Sequence, residues 1–523
     1  MHILEEKQPF SQSLIWQLQR NYFNEAGIDA WRNGVIPHYI TNNPVVGKSY
    51  AELVLAFLRD LSLQGHRKET VYLLELGAGH GRLCYHFFKH FEKYYTQSGM
   101  EFPPFCYVLS DFVPDHLAFW QNHPRLQPYL EKGWLDMARF DAENDSELFL
   151  YYTGTAIRQQ ALSQPLLVVA NYFFDTIPQE LFRIEDQKIA RSLLTLTTET
   201  DPSELDTADL IKVLQLQYDR GSPLHTAYPN EPVLNDLLEM YREQLNKSYL
   251  LFPHTGIRCL ERLRQLSRKG LLVLSADKGE HRLPNLSDGP GLMPHGSFSL
   301  TVNYHALKHY CNRKGGLALF PRYRHTSLNI GCLLMLAEAS SYGETVSAYE
   351  KFVNDYGPDD YFSLKKLAED HLETLTYRHI MGMIRLSGYD ARIFLQILPR
   401  LFELISDLSD EERRVLFHTV PRIWDTYYPL GEPQDLACKL GNLLFMLGFY
   451  SEAVLYFEKS VGIYGKKAGS LFGLACCYCY SGAFDLAAPV IRELLVRTPE
   501  NKTLLKLVRN YESELFGEQH VKI

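Results

Sequence analysis

Glu75, Gly77, Gly79 and Gly81 stand at alternate positions in the stretch VYLLELGAGHGR, residues 71–82. A carboxylate followed by glycines at this spacing suits a small ligand that carries positive charge. The glycines let the backbone turn sharply and approach that ligand, because no Cβ intervenes. Before them, Val71 to Leu74 form a short apolar run suited to a buried strand. After them, Arg82 to Phe91, with Leu83, Phe87 and Phe88, read as an amphipathic helix. Strand, glycine turn and helix make the first βα unit of a nucleotide-binding sheet. A dinucleotide fingerprint, G-x-G-x-x-G, needs its third glycine where this chain has Arg82.

The pattern E-x-G-x-G-x-G resembles motif I of the class I S-adenosylmethionine (SAM) methyltransferases. SAM has no pyrophosphate, and its sulfonium and amino groups are positive, so an acid at the strand end suits SAM better than NAD. On this reading Glu75 and the loop Gly77, Ala78, Gly79 and Gly81 hold the methionine part of the cofactor. The next apolar runs supply the sheet positions that would complete the site. Phe105 to Asp111 (FCYVLSD) is a second strand, and Asp111 is placed to accept both ribose hydroxyls. It serves equally as the cap of a helix opening there. This placement requires residues 92–104 to be an excursion between strand and helix. Trp134 to Glu143 contains a third strand ending at Asp141-Ala142. Asp141 there can accept from the adenine amino group, or be an ordinary loop residue. Pro165 to Ala170 is a buried fourth strand, followed by NYFFDTIP. Ligands sit at the carboxyl ends of such strands. Asn171 and Asp175 are therefore the catalytic candidates facing a methyl acceptor, with Asn171 also near the cofactor, while Phe173 and Phe174 pack the sheet. A leading helical segment, with Tyr39, Thr41 and Asn42 in its loop, is placed to close over the cofactor.

Four blocks together resemble one family. ITNNPVVGKSYAELV, ELGAGHGRL, ANYFFDTIPQELF, and the pair LVLSADKG and FSLTVNYHALKHYC are similar to the MidA family of SAM-dependent methyltransferases of bacteria and mitochondria. The blocks span roughly residues 40–311. The resemblance implies a Rossmann-like methyltransferase with a helical insertion and a protein side chain, such as arginine, as acceptor. The chain departs from the family at three places. Tyr172 stands where the family usually has Glu, which removes an obvious partner for a guanidinium. Lys278 replaces Tyr in Asp-Tyr-Gly, and Ser299-Leu300-Thr301 replaces Asp-Leu-Thr.

The elements that must position these residues follow from the rest of the chain. At 523 residues it has room for several domains. Residues 1–70 read as a helical lid segment and 71–340 as the methyltransferase domain. Within it, residues 195–232 read as polar and irregular. Residues 341–430 read as a helical linker or degenerate repeats, and 431–523 as a repeat unit with a capping helix. The repeat has a 34-residue period: Gly441 matches Ala475, Gly448 matches Gly482, Tyr450 matches Phe484, Ala453 matches Ala487, and Phe457 matches Ile491. It resembles the tetratricopeptide repeat (TPR), whose concave face binds protein segments. The expected fold is thus an α/β, Rossmann-like class I methyltransferase domain followed by an all-α TPR-like domain. Ser409 and Glu412 form a capping box at the start of one of its helices.

Composition is that of an ordinary globular protein, 46% hydrophobic and 22% charged, with net charge −9. No basic block points to nucleic acid, and no apolar run is long enough for a membrane span. Nine scattered cysteines point to core thiols in a cytoplasmic protein. His86 and His90 are spaced i, i+4 but lack the Glu of a zinc-protease helix, so no metal is expected. Two functions fit: a SAM-dependent methyltransferase acting on a protein through its repeat domain, or an inactive methyltransferase-fold scaffold that assembles partners.

Overall fold

β1 (His2–Pro9) leads into α1 (Leu14–Ala26), where Ser13 accepts from the Ile15 N–H and caps the first turn. A single turn, α2 (Asp29–Arg32), and the 3-10 turn Tyr39–Thr41 follow. Asn43 then accepts from the N–H groups of Val45 and Val46 and opens α3 (Pro44–Leu63). Pro44 takes the first helical position, where no N–H is required. This is the structural content of the block ITNNPVVG. Gly47 lies where α3 crosses α4 (Arg82–Gln97), and a Cβ there would come within 2.7 Å of His86. His86 is buried against this crossing, and His90 pairs with Glu52 at 2.7 Å.

This computed structural model describes residues 1–32, 36, 38–286, 293–294, 297–325 and 327–516. They form two compact units, Met1–Phe362 and Ser363–Ile523. The first is built on a seven-stranded sheet. β2 (Val71–Glu75), β3 (Phe105–Asp111), β4 (Leu135–Arg139) and the strands Leu166–Val169 and Gly270–Asp277 are all parallel. The last strand, Asn329–Leu336, inserts antiparallel between Gly270–Asp277 and the edge strand Leu317–Leu319. Numbered along the chain, the order is 3-2-1-4-5-7-6. The first five positions match a dinucleotide-binding sheet, and the reversed seventh strand departs from it. The order reverses between β2 and Leu166–Val169, so the crevice at their carboxyl ends is where a ligand belongs. α4 runs without a break to Gln97 and a short loop reaches β3, so residues 92–104 contain no excursion. β4 ends at Arg139, which leaves Asp141 in the following turn.

The insertion between the fourth and fifth strands is not helical, as the family resemblance implied, but chiefly a second sheet. Strands Glu180–Glu185, Lys188–Thr198, Gln215–Pro223 and Ser248–Phe252 pair antiparallel, and β1 adds a fifth strand along Lys188–Thr198. Part of the segment expected to be irregular, 195–232, is therefore ladder. The leading segment expected to be helical contributes β1 to this sheet. Phe10, Ile15 and Trp16 pack on Leu181, Leu194 and Leu196, which fastens the N-terminal arm to the insertion. Three helices, Thr207–Val213, Pro232–Gln244 and His254–Leu266, complete the insertion among the described residues. Helix Gly343–Tyr349, expected in the linker, belongs to this unit: Asp60 of α3 accepts from the Glu344 and Thr345 N–H groups.

The second unit is entirely helical among the described residues. The capping box is formed: Ser409 and Glu412 bond each other's backbone N–H at the start of Asp410–Thr426. The 34-residue repeat holds bond for bond at its turns. Gly448 N–H reaches Phe445 O and Phe449 N–H reaches Leu444 O; Gly482 and Ala483 repeat both bonds on Cys479 and Tyr478. Phe457, on Tyr450–Tyr464, fills the space left by two glycines. A Cβ on Gly473 would meet its ring at 2.3 Å and one on Gly441 at 2.9 Å. Gly473→Val is expected to destabilise this unit by about 1–3 kcal/mol through overpacking, read as a lower melting temperature. Gly469→Ala on the same helix, with nothing within 4 Å of the new Cβ, is expected to leave it unchanged or slightly raised. Among the described residues no helix is long and apolar enough to cross a membrane.

Candidate functional site

A cavity of about 360 Å³ opens at the carboxyl ends of β2, β3, β4 and Leu166–Val169. Its volume lies in the range of small-molecule sites. Glu75, Gly77, Ala78 and Gly79 line one wall, Asp111 and Asp141 another, and Asn171 and Asp175 the end beyond Leu166–Val169. Gly81 is not part of the lining. It caps α4 at φ +75°, and its missing Cβ makes room for Trp120. Of the expected lid residues, Thr41 and Asn42 line the cavity, whereas Tyr39 packs its ring edge-on to Phe362.

Glu75 ends β2 and is buried. Tyr107 O–H on the neighbouring strand donates to its carboxylate at 2.9 Å. Burial outweighs that bond and pushes its pKa up to about 8. Gly77, Gly79 and Gly81 all take positive φ, at 60°, 53° and 75°, the left-handed region that favours glycine. The loop is clamped from both sides. Gly79 N–H donates to Asp111 at 3.1 Å, and Trp120 Nε1–H donates to Gly79 O at 2.8 Å. Above the loop, the Trp31 ring lies 2.8 Å from where a Gly79 Cβ would stand. His80 accepts from Arg82 N–H through Nδ1, and its Nε2 meets the Asn42 amide at 3.2 Å. Burial holds His80 well below the ordinary imidazole range, so it is neutral.

Asp111 is more committed than its sequence position indicated. Besides Gly79, it accepts from Val113 N–H at 3.1 Å and faces His116 Nδ1 at 3.1 Å. Burial alone would raise its pKa, but His116 and the two N–H groups hold it below the ordinary value. Asp141 is paired with Arg20 of α1 at 2.9 Å, and Arg20 also reaches Glu143 at 2.7 Å. The Arg20 guanidinium lies over the Phe112 ring, 4.6 Å from its centroid. Burial opposes and Arg20 lowers the pKa of Asp141, with the second effect prevailing. The N-terminal helix is thereby latched to the turn after β4.

Asn171 Oδ1 accepts from Tyr50 O–H at 2.7 Å and from Ala276 N–H at 2.9 Å, and Nδ2 donates to Thr41 O at 3.2 Å. One amide thus joins α3, the fifth strand and the lid loop. Tyr172 has φ +47°, a left-handed backbone rare for a bulky side chain, and its N–H donates to Ala276 O. Asp175 is 3% exposed and faces Asp277, which ends Gly270–Asp277 and is fully buried. Burial pushes Asp175 up to about 7 and, with the Asp175 charge beside it, pushes Asp277 well above its ordinary range.

Sequence reasoning missed Arg20, Trp31, His116 and Asp277. Arg20 reads as the polar face of an amphipathic helix, and Trp31 and His116 carry no motif. Asp277 was visible within the block LVLSADKG, but nothing local joined it to Asp175.

SAM fits this donor set. Glu75 is a buried carboxylate whose pKa is raised for want of a countercharge, at the edge of a cavity large enough for a ligand; a sulfonium or ammonium supplies that charge. Gly77 leaves open room, with Phe173 3.8 Å from a would-be Cβ.

Comparison with known proteins agrees. Residues 53–285 match the model of a family described as "Putative S-adenosyl-L-methionine-dependent methyltransferase". No curated protein matches the sequence. Among solved structures, one Burkholderia thailandensis protein aligns at 10% identity over 64% of this chain and 90% of its own, with TM-score 0.40. Another from the same organism, bound to S-adenosyl-homocysteine, aligns at 13% identity over 60% of this chain and 74% of its own, with TM-score 0.38. A thermophilic TPR protein from Thermus thermophilus aligns at 16% identity over 34% of this chain and 91% of its own, with TM-score 0.22. Residues 53–285, somewhat under half of the chain, are thus similar to a family of SAM-dependent methyltransferases, and the cofactor this similarity supports is SAM.

Proposed function

We infer that the protein transfers a methyl group from SAM to a nitrogen of a protein side chain, arginine being the first candidate, and that the helical repeats recruit the protein that carries it. The observation that carries this reading is Glu75: a buried, under-compensated carboxylate beside a left-handed glycine loop, lining the cavity at the sheet's switch point. Bound SAM supplies a methyl already activated by its sulfonium. The residues of this chain then have to bind, align and exclude water. Glu75 and the 77–79 loop orient the charged end of the cofactor, with Asp111 bracing the loop and presenting its edge to the ribose. Asp141 stands at the adenine end, held by Arg20. Trp31, Thr41 and Asn42 cover the cofactor, and Asn171 ties that cover to the sheet. Gly81 shapes the turn. At the far end, Asn171 and Asp175 face the acceptor. The domain limits proposed from the sequence, 1–70, 71–340, 341–430 and 431–523, move in this reading to one catalytic unit ending at Phe362 and one repeat unit after it. Nine free cysteines support a reducing, cytoplasmic setting.

A scaffold without catalysis is the second reading, and Tyr172 favours it, since a strained tyrosine occupies the position of the family's glutamate. Calorimetric titration with SAM, together with transfer of labelled methyl from SAM to proteins of a lysate, separates the two. Binding and label on a protein side chain support the enzyme. Binding without label in any protein or small molecule supports the scaffold, and no binding by folded protein overturns both cofactor and enzyme.

A further inference from the structure

Asp175 and Asp277 come from different strand ends, and both are buried. Their segments run side by side, Tyr172 N–H donating to Ala276 O at 3.1 Å, and the two carboxyl groups act on each other directly. Among the described residues, Asp175 Oδ1 and both oxygens of Asp277 are buried without a partner in hydrogen-bond geometry, although the backbone N–H groups of Lys278 and Asp175 lie close enough to Asp277 to ease its charge in part. Two adjacent carboxylates without donors repel each other, and a single proton held between them removes the repulsion and provides the missing donor. Among the described residues, no cationic side chain acts on either carboxyl group. Tyr50 from α3, Tyr304 from helix Tyr304–Arg313 and Tyr172 are the phenols within electrostatic reach. Of the two, Asp175 lines the cavity and Asp277 lies behind it.

We propose that Asp175 and Asp277 share one proton, and that this dyad, with Asp175 as the base in contact with the acceptor and Asp277 as the residue that positions it, takes the proton from a cationic N–H methyl acceptor, a guanidinium or an ammonium. The inference rests on the methyltransferase reading. A singly protonated pair carries one negative charge, which matches one guanidinium or ammonium and provides the carboxylate that Tyr172 does not. For the nitrogen to react it must lose a proton. Its electron pair forms the N–C bond as the S–C bond breaks, the pair of that bond stays on sulfur as a thioether, and the proton moves to the free oxygen of Asp175 and from there to solvent.

The test uses the full chain with Asp277→Asn and Asp175→Asn, and has a readout independent of activity. A carboxyl group whose pKa is raised by folding stabilises the fold while protonated. That contribution is complete below the unfolded value near 4 and is lost as pH rises through the folded value. The pair's contribution to the wild-type melting temperature is therefore expected to fall as pH rises through about 7, beside the separate loss from Glu75 near pH 8. Asp277→Asn, whose amide donates to Asp175 without a shared proton, is expected to flatten that fall and to leave the SAM affinity unchanged. In transfer assays Asp277→Asn is expected to shift the acid limb of the kcat profile to lower pH, because Asp175 loses the neighbouring charge. Asp175→Asn is expected to lower kcat at least 100-fold with little change in SAM affinity. Unchanged pH dependence of both stability and kcat in Asp277→Asn overturns the dyad while leaving the methyltransferase reading intact. Loss of SAM binding in wild type overturns the methyltransferase reading instead. A divalent cation that raises wild-type melting and fails to do so in either variant overturns the shared proton in favour of a metal pair.

Discussion

Gly79→Arg protein is expected to bind SAM at least about 100-fold more weakly than wild type, while remaining folded by circular dichroism. Three effects act together at this position. The residue adopts φ +53°, a left-handed conformation that costs a non-glycine residue about 1–2 kcal/mol. The new Cβ meets the Trp31 ring at 2.8 Å, so the ring must shift and the lid opens. The guanidinium then enters the cavity that Gly79 lines and competes for Glu75. Since a tenfold loss of affinity corresponds to about 1.4 kcal/mol, strain and lid displacement alone suffice for much of the effect. Gly99→Ala is the matching control. It has φ +68° with nothing within 4 Å of the new Cβ, and is expected to lose a little stability and no SAM affinity. Calorimetric titration of the three proteins checks this, and equal affinity in Gly79→Arg and wild type would remove the glycine loop from the cofactor site.

SAM binding at pH 7 is expected to release most of one proton. Free protein holds Glu75 near pKa 8, so roughly nine molecules in ten are protonated there at pH 7. A cationic ligand beside it favours the carboxylate and lowers its pKa, which expels the proton. The release is expected to fade above about pH 9, where the free carboxyl is already ionised. It is measured as the difference in apparent binding enthalpy between buffers of unlike ionisation enthalpy. The same shift has a stability consequence with a defined sign. Ligand-free protein gains from protonated Glu75 below the unfolded value near 4.3 and loses that gain as pH rises through about 8, whereas saturating SAM is expected to restore stability in that window. Glu75→Gln keeps the acceptor for Tyr107 but not the charge. It is expected to bind SAM about 10- to 100-fold more weakly, in line with the 1.5–3 kcal/mol of a charge-assisted hydrogen bond, and to release no proton from this position. Proton-neutral binding by wild type together with full affinity in Glu75→Gln would place the cationic end of SAM elsewhere.

What the sequence determined by itself are the features set by local chemistry. Glu75 and the glycines fall at the end of a run apolar enough to be buried on both faces, so strand, turn and helix follow from neighbouring residues alone. The same holds for Asn43-Pro44 at the start of α3, the capping box at Ser409, and the 34-residue repeat, whose matching glycines close matching turns. Tertiary structure decided what depends on partners far along the chain. Gln215–Pro223 is polar and half exposed, and it is a strand only because Lys188–Thr198 provides its ladder; β1 is held to that same strand in the same way. Arg20 and Asp141 are separated by 121 residues, and only packing of the N-terminal arm on the insertion brings them together. Asp175 lies in the turn after Leu166–Val169 and Asp277 ends Gly270–Asp277, two strands that become neighbours in the sheet because the parallel crossover between them is absorbed by the whole insertion. Each carboxylate is unremarkable in its own segment. Their burial side by side, which governs their protons, exists only in the folded sheet.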